Sequence, residues 1–304
     1  MPAERSYGMD HRHYDWSPLP ARPVLAWPGG ERLAFGAVVL LEHYEWTPPD
    51  GAYSLRSASG GLAALPPPDY IRMTHREYGH RVGIFRVLDA LEDHGVPATI
   101  AVDVLTAEHY PWLLEHCVGR GSEIMAHGVA ASRLMTEKMG EAEEIDTIAT
   151  SLDTIERVTG TRPRGWFSPE GVESTRTPRL LAAAGVDYVC DWPNDEQPYR
   201  MTVPEGELVS LPLFQELDDE FALWHRRARV DEWSDMVGEA ATRLHADGAT
   251  TARHLLLTLR PWLIGQPMRI GALRAALETV SGLDGVWRTR AGDLAAAAPA
   301  GPEG

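Results

Sequence analysis

From residue 33 onward the chain alternates short apolar runs with longer amphipathic ones. "LAFGAVVLL" (33 to 41) is apolar at every position and of strand length, the pattern of a central parallel strand covered on both faces. "RVGIFRVLDALEDHG" then places Phe85, Leu88 and Leu91 on one helical face, with Gly95 as a stop, and "PATIAVDV" reads as the next strand. The same alternation recurs. "WLLEHCVGRG" precedes "SEIMAHG", and a helix around Ile145, Ile148, Leu152 and Ile155 precedes "RGWFSPEG". "TPRLLAAAG" precedes "VDYVCDW", "EWSDMVGEAATRLHADG" precedes "RHLLLTLR", and "MRIGALRAALETV" precedes "GVWRT". About seven strand and helix pairs in one chain predict a parallel sheet or a (β/α) barrel as a single domain. Residues 1 to 33, rich in Pro, Arg and aromatics, read as an arm packing on the domain or on a neighbouring subunit. Residues 34 to 290 read as the barrel domain, and 291 to 304 as a disordered tail.

Composition narrows the function. The 304 residues carry 28 Lys plus Arg against 44 Asp plus Glu, a formal charge of −16, which disfavours nucleic acid and anionic lipid as partners. A small polar or neutral molecule fits better. No apolar stretch reaches the roughly 18 residues of a membrane span, and "MPAERSYGMDHRHYDW" lacks the order of a signal peptide, so a cytoplasmic location is expected. Cys117 and Cys190 make no disulfide framework and are expected in the core. His11 and His13 sit on the arm, where a solvated or interface role is expected.

In a barrel, the chemistry collects where the strands end. The first strand delivers Glu42 and His43, followed by Glu45 and Trp46. "SEIMA" delivers His127, "RGWF" delivers Ser168 and Glu170, "VDYVC" delivers Asp191 and Trp192, and "HLLLTL" delivers Arg260 and Trp262. Each group alone reads as a cap or turn residue. Convergence of carboxylates, an imidazole and a guanidinium on one rim points to catalysis, with the tryptophans as pocket walls. The Pro- and Gly-rich stretch "EWTPPDGAYSLRSASGGLAALPPPDY" reads as a substrate lid, with Tyr53, His75 and His80 of the 46 to 80 loop as specificity candidates. "QELDDEFALWHRRARVDEW" reads as a solvated helix face or an oligomer contact.

The segments "VVLLEHYEW", "SEIMAHGVAASRLM", "RPRGWFSPEG", "VDYVCDWPNDEQPY", "LVSLPLFQELDDEFAL" and "LTLRPWLIGQPMRIGALRAAL" together resemble the polysaccharide deacetylase (NodB-homology) superfamily. Within it they resemble the branch of cofactor-independent allantoinases and related cyclic-imide and amide hydrolases. The resemblance spans roughly residues 25 to 290. It implies a distorted (β/α)7-type barrel, hydrolysis of a carbon–nitrogen bond, and often a homo-oligomer. Carried over by position, Glu42 takes the first motif's carboxylate and His127 the second motif's first histidine. Metal-dependent members space that motif as His-x-x-x-His, but Ala131 stands at the second position here and Glu42 with His43 replaces an aspartate pair. The expectation is therefore no cofactor, with a divalent metal at Glu42, His43 and His127 as the lesser alternative.

The branch usually reads Leu-His-Pro-Trp-Leu-Ile-Gly-Gln-Pro where this chain has "LRPWLIGQP", so Arg260 stands in place of a catalytic histidine. Arginine, with a pKa above about 12, cannot act as an acid near neutral pH, whereas it can stabilise an oxyanion or clamp an acidic group. The leading expectation is a metal-independent amidohydrolase with Glu42 as general base, its pKa raised above about 4.3. His127 would orient the substrate or shuttle a proton, and Arg260 would stabilise charge. His43, Glu45, Trp46, Ser168, Glu170, Asp191, Trp192 and Trp262 would contact the substrate. A lyase, dehydration or cyclisation catalyst and a non-catalytic binding protein are the alternatives, because Arg260 removes the proton donor.

Overall fold

The computed structural model describes residues 9–53 and 68–299. Strand β1 (Leu33–Leu41), buried at all nine positions, is the axis of the sheet. Along one edge it pairs in parallel with β8 (Arg253–Leu259), from Leu33 opposite Arg253 to Val39 opposite Leu259. Its other edge is shared. Leu33 to Phe35 pair with β9 (Val286–Arg288), and Ala37 to Leu41 with β2 (Ala98–Val102). The sheet continues in parallel through β3 (Glu123–Ala126), β4 (Gly165–Trp166), β5 (Tyr188–Val189) and β7 (Val209–Ser210), and closes with antiparallel β6 (Tyr199–Arg200). The order β6-β7-β5-β4-β3-β2-β1-β8 contains the seven parallel strands of the expected distorted barrel. β8 and β6 lie at opposite ends without pairing, so the barrel is an open half-barrel.

The two-residue period of β1 divides its side chains between two cores. Leu33, Phe35, Ala37, Val39 and Leu41 join the cluster beneath the outer helices, which include α2 (Ile84–Asp93), α5 (Glu141–Thr159), α7 (Val230–Asp247) and α8 (Ile270–Ser281). Ala34, Val38 and Leu40 join Ala101, Met125, Tyr188 and Leu256 in the barrel interior. That interior is plugged at its lower end by Trp27 of the arm and by Ala291, Leu294 and Ala295 of α9 (Ala291–Ala296). Both cysteines are buried and free. In α5 the buried face is Ile148, Leu152 and Ile155, whereas Ile145 is exposed.

Two expectations change, for the tail and the lid, and one of the two alternatives for the arm is met. The tail does not become disordered at 291, because α9 buries apolar side chains there; residues 300–304 lie outside the described ones. The arm packs on its own domain. The Trp27 indole donates to the Arg253 carbonyl at 2.8 Å, the Ala252 amide donates to the Leu25 carbonyl, and Arg22 pairs with Asp195 at 2.5 Å. His11, His13 and Tyr14 gather around the Trp192 ring. Of the expected lid, residues 54–67 lie outside the described ones, and 70 onward is helical: α1 (Tyr70–Tyr78) runs through a π-helical turn, Gly79–Gly83, directly into α2. Among the described residues, no helix is long and apolar enough to cross a membrane.

That π turn fixes the segment after β8. Gly79 and Gly83, four apart on one helical face, lie against Trp262 and Pro261. A Cβ on Gly83 would sit 2.0 Å from the Pro261 carbonyl oxygen, and one on Gly265 would sit 2.4 Å from the same atom. Backbone thus meets backbone, so Arg260 is held on a rigid segment. Gly83→Ala is expected to cost about 1–3 kcal/mol in urea unfolding by overpacking. Gly119→Ala, which meets nothing within 4 Å, should be neutral or slightly stabilising.

Candidate active site

Arg260 follows seven buried strand residues and is itself 5% exposed. A guanidinium this deep needs anions around it. Its Nη1 donates to both carboxylate oxygens of Asp218, at 2.8 and 2.7 Å. Its Nε lies 2.7 Å from Glu220 Oε2 and 3.3 Å from Glu42 Oε2, and its backbone amide donates to Asp219 Oδ2 at 2.8 Å. The Nε–H bond points squarely at neither carboxylate, so those two contacts are ion pairs without a hydrogen bond. No described residue accepts from Nη2, and that nitrogen is not buried.

A second guanidinium completes the cluster. Arg76 of α1 is clamped between the Tyr44 and Trp262 rings, 4.1 and 4.2 Å from their centroids, and donates to Glu220 Oε1 at 3.1 Å. Glu220 therefore bridges Arg76 and Arg260. Trp262 holds a cation and does not wall the cavity.

Behind Arg260 lie Glu42 and His127, with side chains 2% and 0% exposed. His127 Nδ1 is 2.6 Å from the Phe167 carbonyl, which only accepts, so this nitrogen carries a proton. Nε2 then faces Glu42 Oε1 at 3.4 Å. Burial pushes the His127 pKa down, but the Glu42 carboxylate outweighs it and the value is raised. Burial pushes Glu42 up; the Arg260 charge, the His127 bond and Arg76 outweigh burial and hold it well below the ordinary carboxylate range. The expected rise at Glu42 is thus reversed, because the guanidinium meant for the substrate sits on the carboxylate.

The cavity opens on the other side of Arg260. It encloses about 280 Å³, and its walls include Arg260, Asp218, Glu220, Glu170, Asp191 and His225. Neither Glu42 nor His127 lines it. Of the strand-end residues named from the sequence, Glu170, Asp191 and Arg260 meet there. His43 turns to the opposite side, its ring 4.8 Å from that of His109 in α3 (Val104–His109). Glu45 accepts from Ser132 Oγ at 2.7 Å and from Arg133 Nη2 at 2.6 Å. Trp46 is 37% exposed and its indole donates to Glu77. Ser168 accepts the Trp166 indole and donates its amide to Asp191 Oδ1 at 2.7 Å. Trp192 is taken up by the arm. His75 packs against Trp262 and Trp224, and His80 stacks on Tyr110, both away from the cavity lining. Tyr53 is exposed at the edge of the described loop.

Sequence reasoning missed Asp218, Asp219 and Glu220, which were expected on a solvated face or an oligomer contact and are instead the anions that bury Arg260. The usable signal was three acids flanked by Leu217 and Phe221 at the end of "LVSLPLF". It also missed Asp103, the N-cap of α3, whose Oδ1 accepts from the Thr106 amide at 2.7 Å and Oδ2 from the His43 amide at 2.5 Å. This carboxylate fixes the backbone on which Glu42 and His43 sit. Glu173, pushed up by burial and by the adjacent Asp191, forms a carboxyl pair with it.

The donors do not fit a metal. Ala131 offers no ligand, His43 faces His109, and the Arg260 guanidinium stands where an ion would meet Glu42. Among the described residues no group of three or more His, Cys, Asp or Glu is arranged to hold one.

The half-barrel and the site at its strand ends can be compared with known proteins. The polysaccharide deacetylase family model matches residues 77–189. The PuuE allantoinase structure is 25% identical with a TM-score of 0.79, covering 91% of this chain and 93% of that one. A candidate polysaccharide deacetylase from Pseudomonas aeruginosa PAO1 is also 25% identical at a TM-score of 0.79, covering 91% and 94%. A candidate polysaccharide deacetylase of Schizosaccharomyces pombe is 24% identical over 230 residues, 69% of this chain and 71% of its own. Residues 77–189 thus match the polysaccharide deacetylase family, and the chain shares its fold with allantoinase and deacetylase structures, a likeness that supports hydrolysis of C–N bonds at the level of that family.

Burial pushes Asp103 up to about 7, against the two amides it accepts. A folded-state value above the unfolded one, about 3.9, gives stability that is full below pH 4 and lost as pH rises through about 7. Urea unfolding of wild type and Asp103→Asn should therefore show wild type's advantage shrinking between pH 4 and pH 7.5. A constant gap would contradict this assignment.

Proposed function

We propose that the protein hydrolyses an amide, imide or ureide bond of a small molecule without a metal, in the cavity beside Arg260. The observation that carries this reading is the state of Arg260. Asp218, Glu220 and Glu42 hold Nη1 and Nε, and Nη2 remains accessible at a cavity wall. A fixed donor of this kind suits a carbonyl oxygen that gains negative charge, and its orientation needs no rearrangement when the charge develops. Glu42 and His127 then act by anchoring the guanidinium from behind. The three acids leave little positive potential to clamp a substrate carboxylate, so a neutral substrate is favoured.

One observation favours a non-hydrolytic reaction at the same rim. Glu42, the carboxylate expected to activate water, is sealed from the cavity by Arg260. Solvent oxygen-18 separates the readings, since label enters the acyl product only on hydrolysis.

Metal-stripped protein is expected to hydrolyse members of a panel of hydantoins, cyclic imides, ureides and acetylated amino sugars, with rates unchanged by chelator. Arg260→Lys, which keeps the charge and loses the fork, should lower kcat about 10²- to 10³-fold. Activity that appears only on adding a divalent metal would contradict the reading.

A further inference from the structure

Hydrolysis of a C–N bond requires a group that takes a proton from water and returns one to the leaving nitrogen. Arg260 holds its protons too tightly to do this. Glu42 and His127 are paired behind it, out of reach of the cavity. Of the cavity acids, Asp218 and Glu220 are committed to guanidinium groups, and Asp191 accepts the Ser168 amide beside Glu173. Glu170 differs from all of these. It lines the cavity, and no described residue shares a hydrogen bond or an ion pair with its carboxyl.

Its backbone is also unusual. Glu170 has φ 58° and ψ 15°, a left-handed conformation that favours glycine, and Gly171 follows at φ 62°. Two contacts hold the turn in this shape. Asp191 fixes the Ser168 amide on one side of Pro169, and Gly128, at φ 69°, lies against the Pro169 ring, where a Cβ would come within 3.0 Å. A strained non-glycine residue held by its surroundings at a cavity wall is a mark of function.

We propose that Glu170 is the proton-transfer residue of this site, a role that rests on the hydrolytic reading above. As a carboxylate it takes a proton from water while the water oxygen bonds to the carbonyl carbon. The carbonyl electron pair moves to its oxygen, opposite Arg260 Nη2. When that pair returns, the C–N bond breaks and the Glu170 proton goes to the departing nitrogen, leaving an acid and an amine and restoring the carboxylate. Burial and the neighbouring Glu42 and Glu220 carboxylates, opposed by Arg260 and Arg76, push Glu170 up to about 7, which suits both halves of this cycle near neutral pH.

The test is the pH dependence of kcat and KM for metal-free wild type, Glu170→Gln, Glu170→Gly and His225→Gln on a substrate that wild type hydrolyses. Wild type should show an acidic limb with a midpoint near 7. Glu170→Gln should lower kcat about 10²- to 10⁴-fold with little change in KM and should lose that limb. Glu170→Gly, which suits the left-handed backbone, should keep or raise the thermal midpoint while losing activity; a purely structural glutamate would lower both or neither. Wild-type kcat in Glu170→Gln overturns this role and leaves hydrolysis standing. So does a loss confined to His225→Gln, whose imidazole also lines the cavity. Absence of hydrolysis by wild type overturns the hydrolytic reading and this role with it.

Discussion

The site is organised around one buried cation. Arg260, 5% exposed, is tolerable only because Asp218, Glu220 and Glu42 surround it and Asp219 accepts its backbone amide. The same contacts determine everything adjacent. They hold Glu42 ionised, raise the His127 pKa through Glu42, bring Arg76 to Glu220, and separate the Glu42 pair from the cavity. A metal centre and this guanidinium are alternative ways to place positive charge at the strand ends. Here the guanidinium lies against Glu42, beside a buried Ala131 and a His43 whose ring faces His109.

The fold supplies the rigidity this arrangement needs. β1 and β8 are neighbours over seven residue pairs, so Glu42 and Arg260 leave the sheet side by side. The glycine face of the π turn, with Gly79 and Gly83 against Trp262 and Pro261, prevents the segment carrying Arg260 from shifting, and the turn follows directly from α1, which carries Arg76. Helix capping contributes as well. Asp103 starts α3 and at the same time holds the His43 amide, tying β2 to the end of β1.

Much of this was legible in the chain. The apolar runs of β1, β2 and β8 are long enough for their burial to be read directly, and their ends correctly gave Glu42 and Arg260 as neighbours on one rim. The strand-end rule also found Glu170 and Asp191. It failed at β7, two residues long and not read as a strand, so that Asp218 to Glu220 beyond it looked like a solvated charge run. Direction was the other obstacle. Sequence spacing places His43 and Trp192 at strand ends, but only tertiary contacts with His109 and with the arm show that they face away. The inversion at Glu42 has the same origin. Its pocket was expected to be partly apolar, whereas the Arg260 guanidinium lies 3.3 Å from its carboxylate and Arg76 adds to the positive field.

The central claim is that the Arg260 guanidinium is what allows these acids to lie together. The most direct measurement is the stability of Arg260→Met relative to wild type as a function of pH. Removing the cation leaves uncompensated buried carboxylates, a loss of about 3–5 kcal/mol near pH 7. The account predicts that this loss shrinks as pH falls toward 4 and the acids take up protons. An equal loss at both pH values would contradict it, showing that Arg260 contributes packing volume and not charge.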